Sequence, residues 1–388
     1  MSVVFDKSED LFPIKSDQIF LSHCGISPLY GPAAEQAIGL IREQQLRGGG
    51  GLIEVYEQWM NGLRAQAALL LGTQPENMAF VRNTSEAMSM LANGYPFEPG
   101  DEVITFVQEY PANYYPWILQ ERRGVTVKFL SNIPAAGDIP QEVIGKWSER
   151  ELLELISPKT RVIALSHVQF TSGYAANLQR LGEICKEYDI DLVIDAAQSM
   201  GCMPLYPENW NVAAVASAGW KWLLGPVGAG IFYTRPDFRD KIAITQIGVE
   251  TMLQTYDFLD LSWAPTPTAR RFEYSTSPIQ LVAALTTCLK DLHVHYGSEA
   301  IFREAIRLQD VFLGALNNPI LTPLLFDAAH RSGILTLYCE QEKIVLDMLK
   351  EAGITCSGRG RLIRVAPHFY NTDEEMLRLA ELLNGWRG

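Results

Sequence analysis

Short runs of apolar residues alternate with segments of helical periodicity from about residue 78 onward. Because each run is apolar at consecutive positions, it is typical of a strand that is covered on both faces. Helical patterns fill most of the gaps, the clearest at 178–188. The pattern predicts seven strands, at 78–81, 102–106, 125–130, 161–165, 191–195, 212–215 and 229–233. We therefore expect an α/β fold in three layers, α/β/α, around a seven-stranded, mainly parallel sheet.

The pattern changes after about residue 260, where longer helical segments dominate. Helices are predicted at 278–295, 298–316, 341–351 and 373–384, and strands at 333–338 and 362–365. We expect a smaller α+β C-terminal domain at 259–388 beside a large domain at 17–258, with the segment 1–16 packed near the small domain. A binding site is expected at the domain boundary, beyond the carboxyl ends of the strands.

Composition excludes several classes of protein. The chain has 388 residues, 47% of them hydrophobic, which is enough for a large core and excludes disorder, collagen and coiled coil. A net charge of −13 without a long basic run argues against nucleic-acid binding. No apolar stretch reaches the roughly 18–20 residues that span a membrane, and the N-terminus does not resemble a signal peptide.

Cysteine and histidine spacing gives no metal site. The six cysteines never approach C-x-x-C spacing, so a reduced cytoplasmic location without structural zinc or disulfides is expected. His293 and His295 should point to different sides of a helix, in ordinary surface or helix-end roles. The four-glycine run at 48–51 is predicted to be a joint between helices, although a lid or subunit contact is also open.

Two residues carry most of the predicted chemistry. Lys221 lies between two tryptophans just after a predicted strand, where burial would lower the pKa of its amine and make it a nucleophile for a Schiff base. The alternative is a lysine that only covers tryptophan faces. Asp195 ends a buried strand and needs a cationic partner, which the protonated ring nitrogen of pyridoxal phosphate could supply. Its alternative is a helix cap or a structural ion pair.

The segments around these residues resemble the class V aminotransferase family, the pyridoxal-phosphate enzymes of fold type I that include cysteine desulfurases, kynureninase and isopenicillin N epimerase. The resemblance covers about 18–384, and its most specific segments are 195–201, 221–228 and 364–371. It implies that Lys221 forms the Schiff base with the cofactor, that Asp195 pairs with the ring nitrogen, and that Gln198 hydrogen-bonds the phenolic oxygen.

The resemblance also implies cofactor contacts from two earlier segments. Thr84 and Ser85 open a helix after the first strand and would bind the phosphate, because free N–H groups and the helix dipole favour an anion there. A simple helix cap is the alternative, and the two can coexist. Tyr110 stands where relatives place an aromatic ring over the cofactor, although it could instead pack in the core.

Two parts of the phosphate site depart from the family pattern. Relatives carry Ser-x-His-Lys, whereas Trp220 replaces the histidine here and Ser217 lies one position earlier. Both remain predicted phosphate ligands, Trp220 through its indole N–H. Thr276 corresponds to a threonine that reaches the cofactor of the other subunit, with Ser275 replacing the usual glycine. The resemblance therefore implies a homodimer with shared sites.

Substrate binding is assigned to two residues. Arg364, on a predicted strand, would bind the substrate carboxylate, with a structural salt bridge as its alternative. His23 would line the substrate side, with a structural role as its alternative. Cys356 is expected to be a strand residue, because no room is left before Arg364 for the mobile loop that carries the catalytic cysteine of desulfurases.

The predicted function is that of a pyridoxal-phosphate enzyme acting on an α-amino acid, with the freed Lys221 amine as general base. An aminotransferase using amino acids and 2-oxo acids is favoured. A β-eliminating lyase or an epimerase uses the same residues and remains open. A cysteine desulfurase or a non-catalytic cofactor-binding module is the weaker alternative.

Overall fold

A computed structural model describes residues 3–134 and 139–388. The strands in chain order are β1 (Ile19–Phe20), β2 (Met78–Val81), β3 (Glu102–Phe106), β4 (Thr126–Leu130), β5 (Thr160–Ser166), β6 (Asp191–Asp195), β7 (Ala214–Ala218), β8 (Gly230–Thr234), β9 (Thr322–Leu324), β10 (Leu335–Tyr338), β11 (Ile354–Thr355), β12 (Ser357–Arg359) and β13 (Leu362–Val365). The α-helices are α1 (Gly31–Arg47), α2 (Gly50–Leu71), α3 (Thr84–Gly94), α4 (Pro111–Ile118), α5 (Glu149–Leu155), α6 (Leu178–Glu187), α7 (Pro236–Lys241), α8 (Ile279–Cys288), α9 (Ser298–Ala315), α10 (Glu342–Glu351) and α11 (Asp373–Gly385).

The central sheet has seven strands in the order β2-β8-β7-β6-β5-β3-β4. Strand β8 runs antiparallel to both of its neighbours, and the other pairs are parallel. The seven predicted strands and the mainly parallel α/β sheet are confirmed. The largest shift is in β7, which begins at Ala214 rather than at Val212.

Side chains of the sheet alternate between two apolar clusters, one on each face. On β5, Val162 and Ala164 face the cluster covered by α3, α4 and α7, whereas Ile163 and Leu165 face the cluster covered by α2, α5, α6 and α8. Because both faces are covered, the strands are apolar at nearly every position. The fold is therefore the three-layer α/β/α arrangement that was expected.

The C-terminal elements form a second sheet, antiparallel in the order β12-β13-β10-β9. Helices α9, α10 and α11 share one apolar cluster with this sheet. Strand β1 pairs in parallel with β11, although the predicted boundary at residue 17 placed it in the large domain. Lys7 and Lys15 form ion pairs with Glu304 and Glu375, so the N-terminal segment packs on the C-terminal elements.

Some local details differ from the sequence prediction. The helix predicted at 278–295 ends as an α-helix at Cys288 and continues as a π-helix over Leu289–Val294. His293 and His295 face different sides, because His293 is buried and His295 is exposed. The surface role is therefore wrong for His293, whereas its position in the last turn of the π-helix agrees with the predicted helix-end role. Among the helices of the described residues, none combines the length and apolar character needed to cross a membrane.

Candidate active site

The predicted site lies beyond the carboxyl ends of β6 and β7. Asp195 is the last residue of β6, and Lys221 follows β7 in a tight turn. The turn packs against the segment after β6 at Gly201, where the backbone has φ +96° and an added Cβ would stand 2.5 Å from the carbonyl oxygen of Trp222. Glycine at this position therefore allows the Lys221 turn to approach the Asp195 segment.

Lys221 has the environment of a reactive amine. Burial lowers the pKa of its amine, the charge of Asp195 opposes this shift, and the charge of Arg364 adds to it. The Nζ atom lies 5.4 Å from the centroid of the Tyr110 ring. A lowered pKa increases the fraction of neutral amine, which is the nucleophilic form.

Asp195 is a buried carboxylate that faces this lysine. It is 4% exposed and accepts a hydrogen bond from the Ala197 N–H at 2.9 Å. Burial raises the pKa of its carboxyl, against the effect of the Lys221 charge. A cationic group of a ligand placed beside Asp195 would therefore be stabilised by it.

Arg364 reaches the same region from β13 in the C-terminal sheet. It is 2% exposed, and its Nη1 donates to the carbonyl oxygen of Phe170 at 2.7 Å. Its Nε is buried and has no hydrogen-bond partner among the described residues. A guanidinium that is held at one nitrogen and unsatisfied at another is suited to bind a carboxylate.

Tyr110 precedes α4 and forms the wall of the site over Lys221. Its ring packs edge-on against Phe170, with centroids 5.3 Å apart, and 45% of the residue is exposed. It does not pack in the core, which was the alternative. Ser85 is also exposed and lines the same surface cavity as Tyr110.

The start of α3 provides the second predicted part of the site. Asn83 caps the helix, because its Oδ1 accepts from the Glu86 N–H at 2.9 Å. Thr84 is buried, and its Oγ1 has no hydrogen-bond partner in the part of the chain that the structure describes. A partnerless hydroxyl at a helix N-terminus is suited to an anion.

Two predicted site residues, Gln198 and Ser217, are already hydrogen-bonded inside the protein. Gln198 donates from Nε2 to the carbonyl oxygen of Cys24 at 2.9 Å and accepts from Trp222 Nε1 at 3.2 Å, which leaves one N–H for a ligand. The Ser217 hydroxyl donates to the carbonyl oxygen of Ala218 at 3.2 Å, so its hydrogen is used on the backbone. The phosphate role of Ser217 remains a prediction.

His23 is fully buried, and both of its ring nitrogens are occupied. Nδ1 donates to the carbonyl oxygen of Ala366, and Nε2 bonds the Tyr370 hydroxyl, each at 2.7 Å. Burial lowers its pKa to about 4. With no ring nitrogen left for substrate, this bonding favours the structural alternative over the predicted substrate role.

The remaining predicted residues lie at the edge of this arrangement. Trp220 is half-buried, and its carbonyl oxygen accepts from the Ser27 N–H at 2.8 Å. Thr276 is exposed and lines a surface cavity with Tyr56 and Tyr256. The role of Thr276 in a second subunit's site remains a prediction.

Sequence reasoning missed polar residues that follow β3 and β5. Glu109 is buried beside Ser166, and Thr171 has a buried Oγ1 without a partner among residues 3–134 and 139–388. The segment 166–173 contains no strong motif, but it directly follows a buried parallel strand. Its place at the carboxyl end of that strand could alone have indicated that the segment belongs to the site.

No cluster of three or more His, Cys, Asp or Glu side chains that could hold a metal ion occurs within the described ranges. Cys356 lies between β11 and β12, and burial raises the pKa of its thiol. The predicted strand position is therefore wrong by one residue, and the raised pKa of the thiol agrees with the expectation that Cys356 is not a nucleophile.

Comparison with known sequences identifies similar proteins over nearly the whole chain. The family model described as aminotransferase class-V matches residues 43–379. An uncharacterized aminotransferase of Bacillus subtilis, YcbU, is 27% identical over 96% of this chain and 95% of its own length. A probable cysteine desulfurase of Methanothermobacter thermautotrophicus is 23% identical over 98% of each chain.

Solved structures show the same fold. A variant of C-DES with glycine covalently linked to its PLP cofactor has a TM-score of 0.88, with 21% identity over 98% of this chain and all of that chain. The complex of the cystine C-S lyase C-DES with cysteine persulfide has a TM-score of 0.86, with 22% identity over 96% of this chain and 99% of that chain.

The side chains of the site fit a cofactor that carries both a phosphate and a basic ring nitrogen. The buried polar atoms that lack a partner among the described residues include three at the site, Thr84 Oγ1 at a helix N-terminus, Thr171 Oγ1 and Arg364 Nε. Asp195 provides a buried carboxylate, and the half-buried Lys221 provides an amine 5.4 Å from the centroid of the Tyr110 ring. These groups match the anionic and cationic ends of pyridoxal phosphate and the carboxylate of an amino acid.

Proposed function

The chain belongs to the class V aminotransferase family, which uses pyridoxal 5′-phosphate (PLP), and on that premise we propose that it transaminates an α-amino acid with a 2-oxo acid as acceptor. The observation that carries the proposal is the convergence of the Lys221 amine, the Asp195 carboxylate and the unsatisfied Arg364 guanidinium at one end of the sheet.

Each end of PLP has residues suited to hold it. Lys221 would attach the cofactor covalently, Asp195 would hold a proton at the ring nitrogen, and Thr84 with Ser85 would bind the phosphate at the start of α3. When bound, PLP supplies an electron sink that stabilises the negative charge left on Cα after a bond to it breaks.

Lys221 and Arg364 would act on the substrate. The guanidinium of Arg364 binds the α-carboxylate and so orients the Cα–H bond. Because burial lowers the pKa of the Lys221 amine, this amine can take the Cα proton as general base near neutral pH. Return of the proton at a carbon other than Cα, followed by hydrolysis with water, would release a 2-oxo acid and leave the amino group to be taken up by the 2-oxo acid acceptor. Support for this outcome comes from the aminotransferase name of the B. subtilis relative.

The second candidate is elimination or C–S bond cleavage at the β-carbon. It is favoured by the similarity to the cystine C-S lyase C-DES and to a probable cysteine desulfurase. The same lysine, carboxylate and arginine serve either reaction, and the two candidates differ in where the proton and the electron pair go. A desulfurase would further need a reactive cysteine, and burial raises the pKa of Cys356 instead.

A single-substrate experiment separates the two reactions. The PLP-loaded protein is incubated with individual amino acids, cystine and cysteine included, without any 2-oxo acid. Transamination predicts stoichiometric formation of one 2-oxo acid per site and loss of the visible cofactor band. Continuous release of ammonia and pyruvate would instead identify a lyase, and alanine with enzyme-bound sulfur would identify a desulfurase.

The matched control is Lys221→Ala, which removes the amine and keeps the fold of the turn. This variant should lose the visible absorbance that PLP acquires on the wild-type lysine, and it should lose turnover. A visible band of unchanged position and intensity in Lys221→Ala would contradict the assignment of Lys221.

We also propose that the active form is a homodimer in which Thr276 contributes to the partner's site. Thr276 shares a surface cavity with Tyr256 and Phe258. These belong to a segment of apolar residues that are 64–94% exposed: Leu253, Tyr256, Phe258, Leu259, Leu261 and Trp263. Such a cluster is typical of a surface that a second molecule covers. The solution mass tests this, since a single species of 43.4 kDa would contradict it.

A further inference from the structure

Glu109 is a buried acid at the end of β3 that has no role in the proposed reaction. Its Oε1 accepts from the Ser166 N–H at 2.8 Å, and its Oε2 is hydrogen-bonded to the Ser166 hydroxyl. One residue earlier, the carbonyl oxygen of Gln108 accepts from Gln169 Nε2 at 2.6 Å. The backbone that leads into Tyr110 is therefore tied at two points to the segment that follows β5.

The same carboxyl lies close to Asp195. Ser166 and Asp195 are register partners on the neighbouring strands β5 and β6, and the Asp195 charge raises the pKa of Glu109. Glu109 thus connects two members of the site, since it precedes Tyr110 in the chain and approaches Asp195 through Ser166. The two buried carboxyls follow β3 and end β6, on either side of the end of β5, and Lys221 faces Asp195.

The surroundings of Glu109 favour its protonated, neutral form below about pH 7. Burial raises the pKa of its carboxyl to about 7, the two hydrogen bonds from Ser166 act against this, and Asp195 adds to it. The Asn113 amide on α4 also faces the carboxyl and lowers its pKa. His167, next to Ser166, carries no charge in this range, because burial lowers its pKa to about 3.

We propose that Glu109 is a positioning residue that holds Tyr110 over Lys221 and, in its protonated form, leaves Asp195 as the single negative charge beside the cofactor ring. The inference rests on the proposed function, in which Asp195 and Lys221 contact PLP. Ionisation of Glu109 would place a second negative charge near the ring nitrogen and the Lys221 nitrogen. Both nitrogens would then hold their protons more tightly.

The first test is a pH titration of the visible absorbance of the PLP-loaded protein. Wild type should show a component near pH 7, the value to which burial raises the pKa of Glu109. Glu109→Gln can keep both contacts with Ser166, since its amide oxygen accepts and its amide nitrogen donates. This variant should keep its affinity for PLP and lose the component near pH 7.

Ser166→Ala gives a second, directional test. The Ser166 hydroxyl lowers the pKa of Glu109, so its removal should move the absorbance component to higher pH. If the hydrogen bond were purely structural, its removal would leave the pH of this absorbance component unchanged.

Glu109→Ala tests the tether to Tyr110. Loss of both hydrogen bonds should weaken the binding of PLP to the apoprotein by roughly tenfold or more, since the N–H and the hydroxyl of the part-buried Ser166 lose their acceptor. The matched control is Glu151, which accepts from the Ser131 N–H at 3.0 Å and the Ser131 hydroxyl at 2.6 Å at the end of β4. Glu151→Gln and Glu151→Ala should leave both the titration and PLP affinity unchanged.

A component near pH 7 that persists in Glu109→Gln, or a Glu109→Ala protein with wild-type PLP affinity, would overturn the inference. If Glu109→Ala does not fold, the Glu109→Gln and Ser166→Ala titrations decide it. Failure of the proposed function is distinguishable, because it would appear as an unchanged visible band in Lys221→Ala.

Discussion

Arg364 brings a guanidinium from the C-terminal sheet to the end of the central sheet. Replacing it by alanine should raise KM for the amino acid roughly 10- to 100-fold, because a hydrogen bond to a charged group contributes about 1.5–3 kcal/mol. The KM of Arg364→Lys should lie between those of wild type and Arg364→Ala, since lysine keeps the charge but not the forked geometry. Steady-state kinetics with varied amino acid measures this. Arg378→Ala, an exposed arginine paired with Glu381, is the control, and an unchanged KM in Arg364→Ala would contradict the carboxylate role.

Other residues of the site show which side chains a sequence can reveal. Lys221 and Asp195 could be predicted because a charged residue at the end of an apolar run is unusual and requires a partner. Glu109 gave no such signal, since a glutamate before a Pro-containing turn is typical of exposed positions. Its burial depends on Ser166, 57 residues later in the chain, and only the fold brings the two together. His23 could be placed near the site, but the occupation of both its ring nitrogens depends on Ala366 and Tyr370.

Two adjacent residues at the start of α3 are expected to have different roles, Asn83 in capping the helix and Thr84 in binding a ligand. Asn83 caps the helix, whereas the Thr84 hydroxyl is buried without a partner in the described part of the chain. Asn83→Ala should cost about 1 kcal/mol in the free energy of unfolding. Thr84→Val keeps the shape and removes an unsatisfied group, so the apoprotein should be no less stable, while PLP affinity should fall roughly tenfold.

Urea unfolding of the apoprotein and PLP titration measure the two effects separately. Asn177, which caps α6 through the Arg180 N–H, provides the matched control: Asn177→Ala should lose stability and keep PLP affinity. Wild-type PLP affinity in Thr84→Val would contradict the phosphate role of Thr84.

Elements were predictable where local pattern and tertiary environment agree. Strand β2 was placed at its observed bounds because all four of its residues are apolar and buried. For β7, the apolar run begins at Val212, which is fully buried in the turn before the strand, so the pattern started two residues early. Strand β12 is polar and three residues long, and its conformation comes from pairing with β13. The sequence of such a strand does not predict its conformation, because pairing with a neighbouring strand determines it.

At the scale of the whole molecule, buried histidines connect the Lys221 turn with the C-terminal elements. His368 donates from Nε2 to the carbonyl oxygen of Trp222 at 3.0 Å, and His293 from Nε2 to that of Leu223 at 3.2 Å. The Phe369 N–H donates to Nδ1 of His368, so this ring must be neutral. The His23 ring lies 5.2 Å from it. The turn that carries Lys221 is therefore held by histidines that carry no charge.

This arrangement predicts loss of stability in mild acid. Burial lowers the pKa of His23 and His293 to about 4 from an ordinary value of 6.5, and it also lowers the pKa of His167 and His368. Between these pH values the unfolded chain binds protons that the folded chain does not. The free energy of unfolding should therefore fall as pH decreases from 6.5 toward 4, by about 1.4 kcal/mol per pH unit for each histidine that is protonated only when unfolded.

Three carboxyls act in the opposite sense and reduce the slope without reversing it. The folded protein keeps the proton of Glu109 up to about pH 7, whereas the unfolded chain loses it near 4.5, and burial raises the pKa of Asp195 and Glu250 as well. Four buried histidines outnumber these three groups, so the net dependence still favours unfolding in acid. Urea unfolding at pH 7 and pH 5 measures it. His293→Gln can still donate to the Leu223 carbonyl and should reduce the slope, whereas the exposed His295→Gln should not. Because the four histidines outnumber the opposing carboxyls, equal stability at both pH values would contradict the neutral histidine cluster.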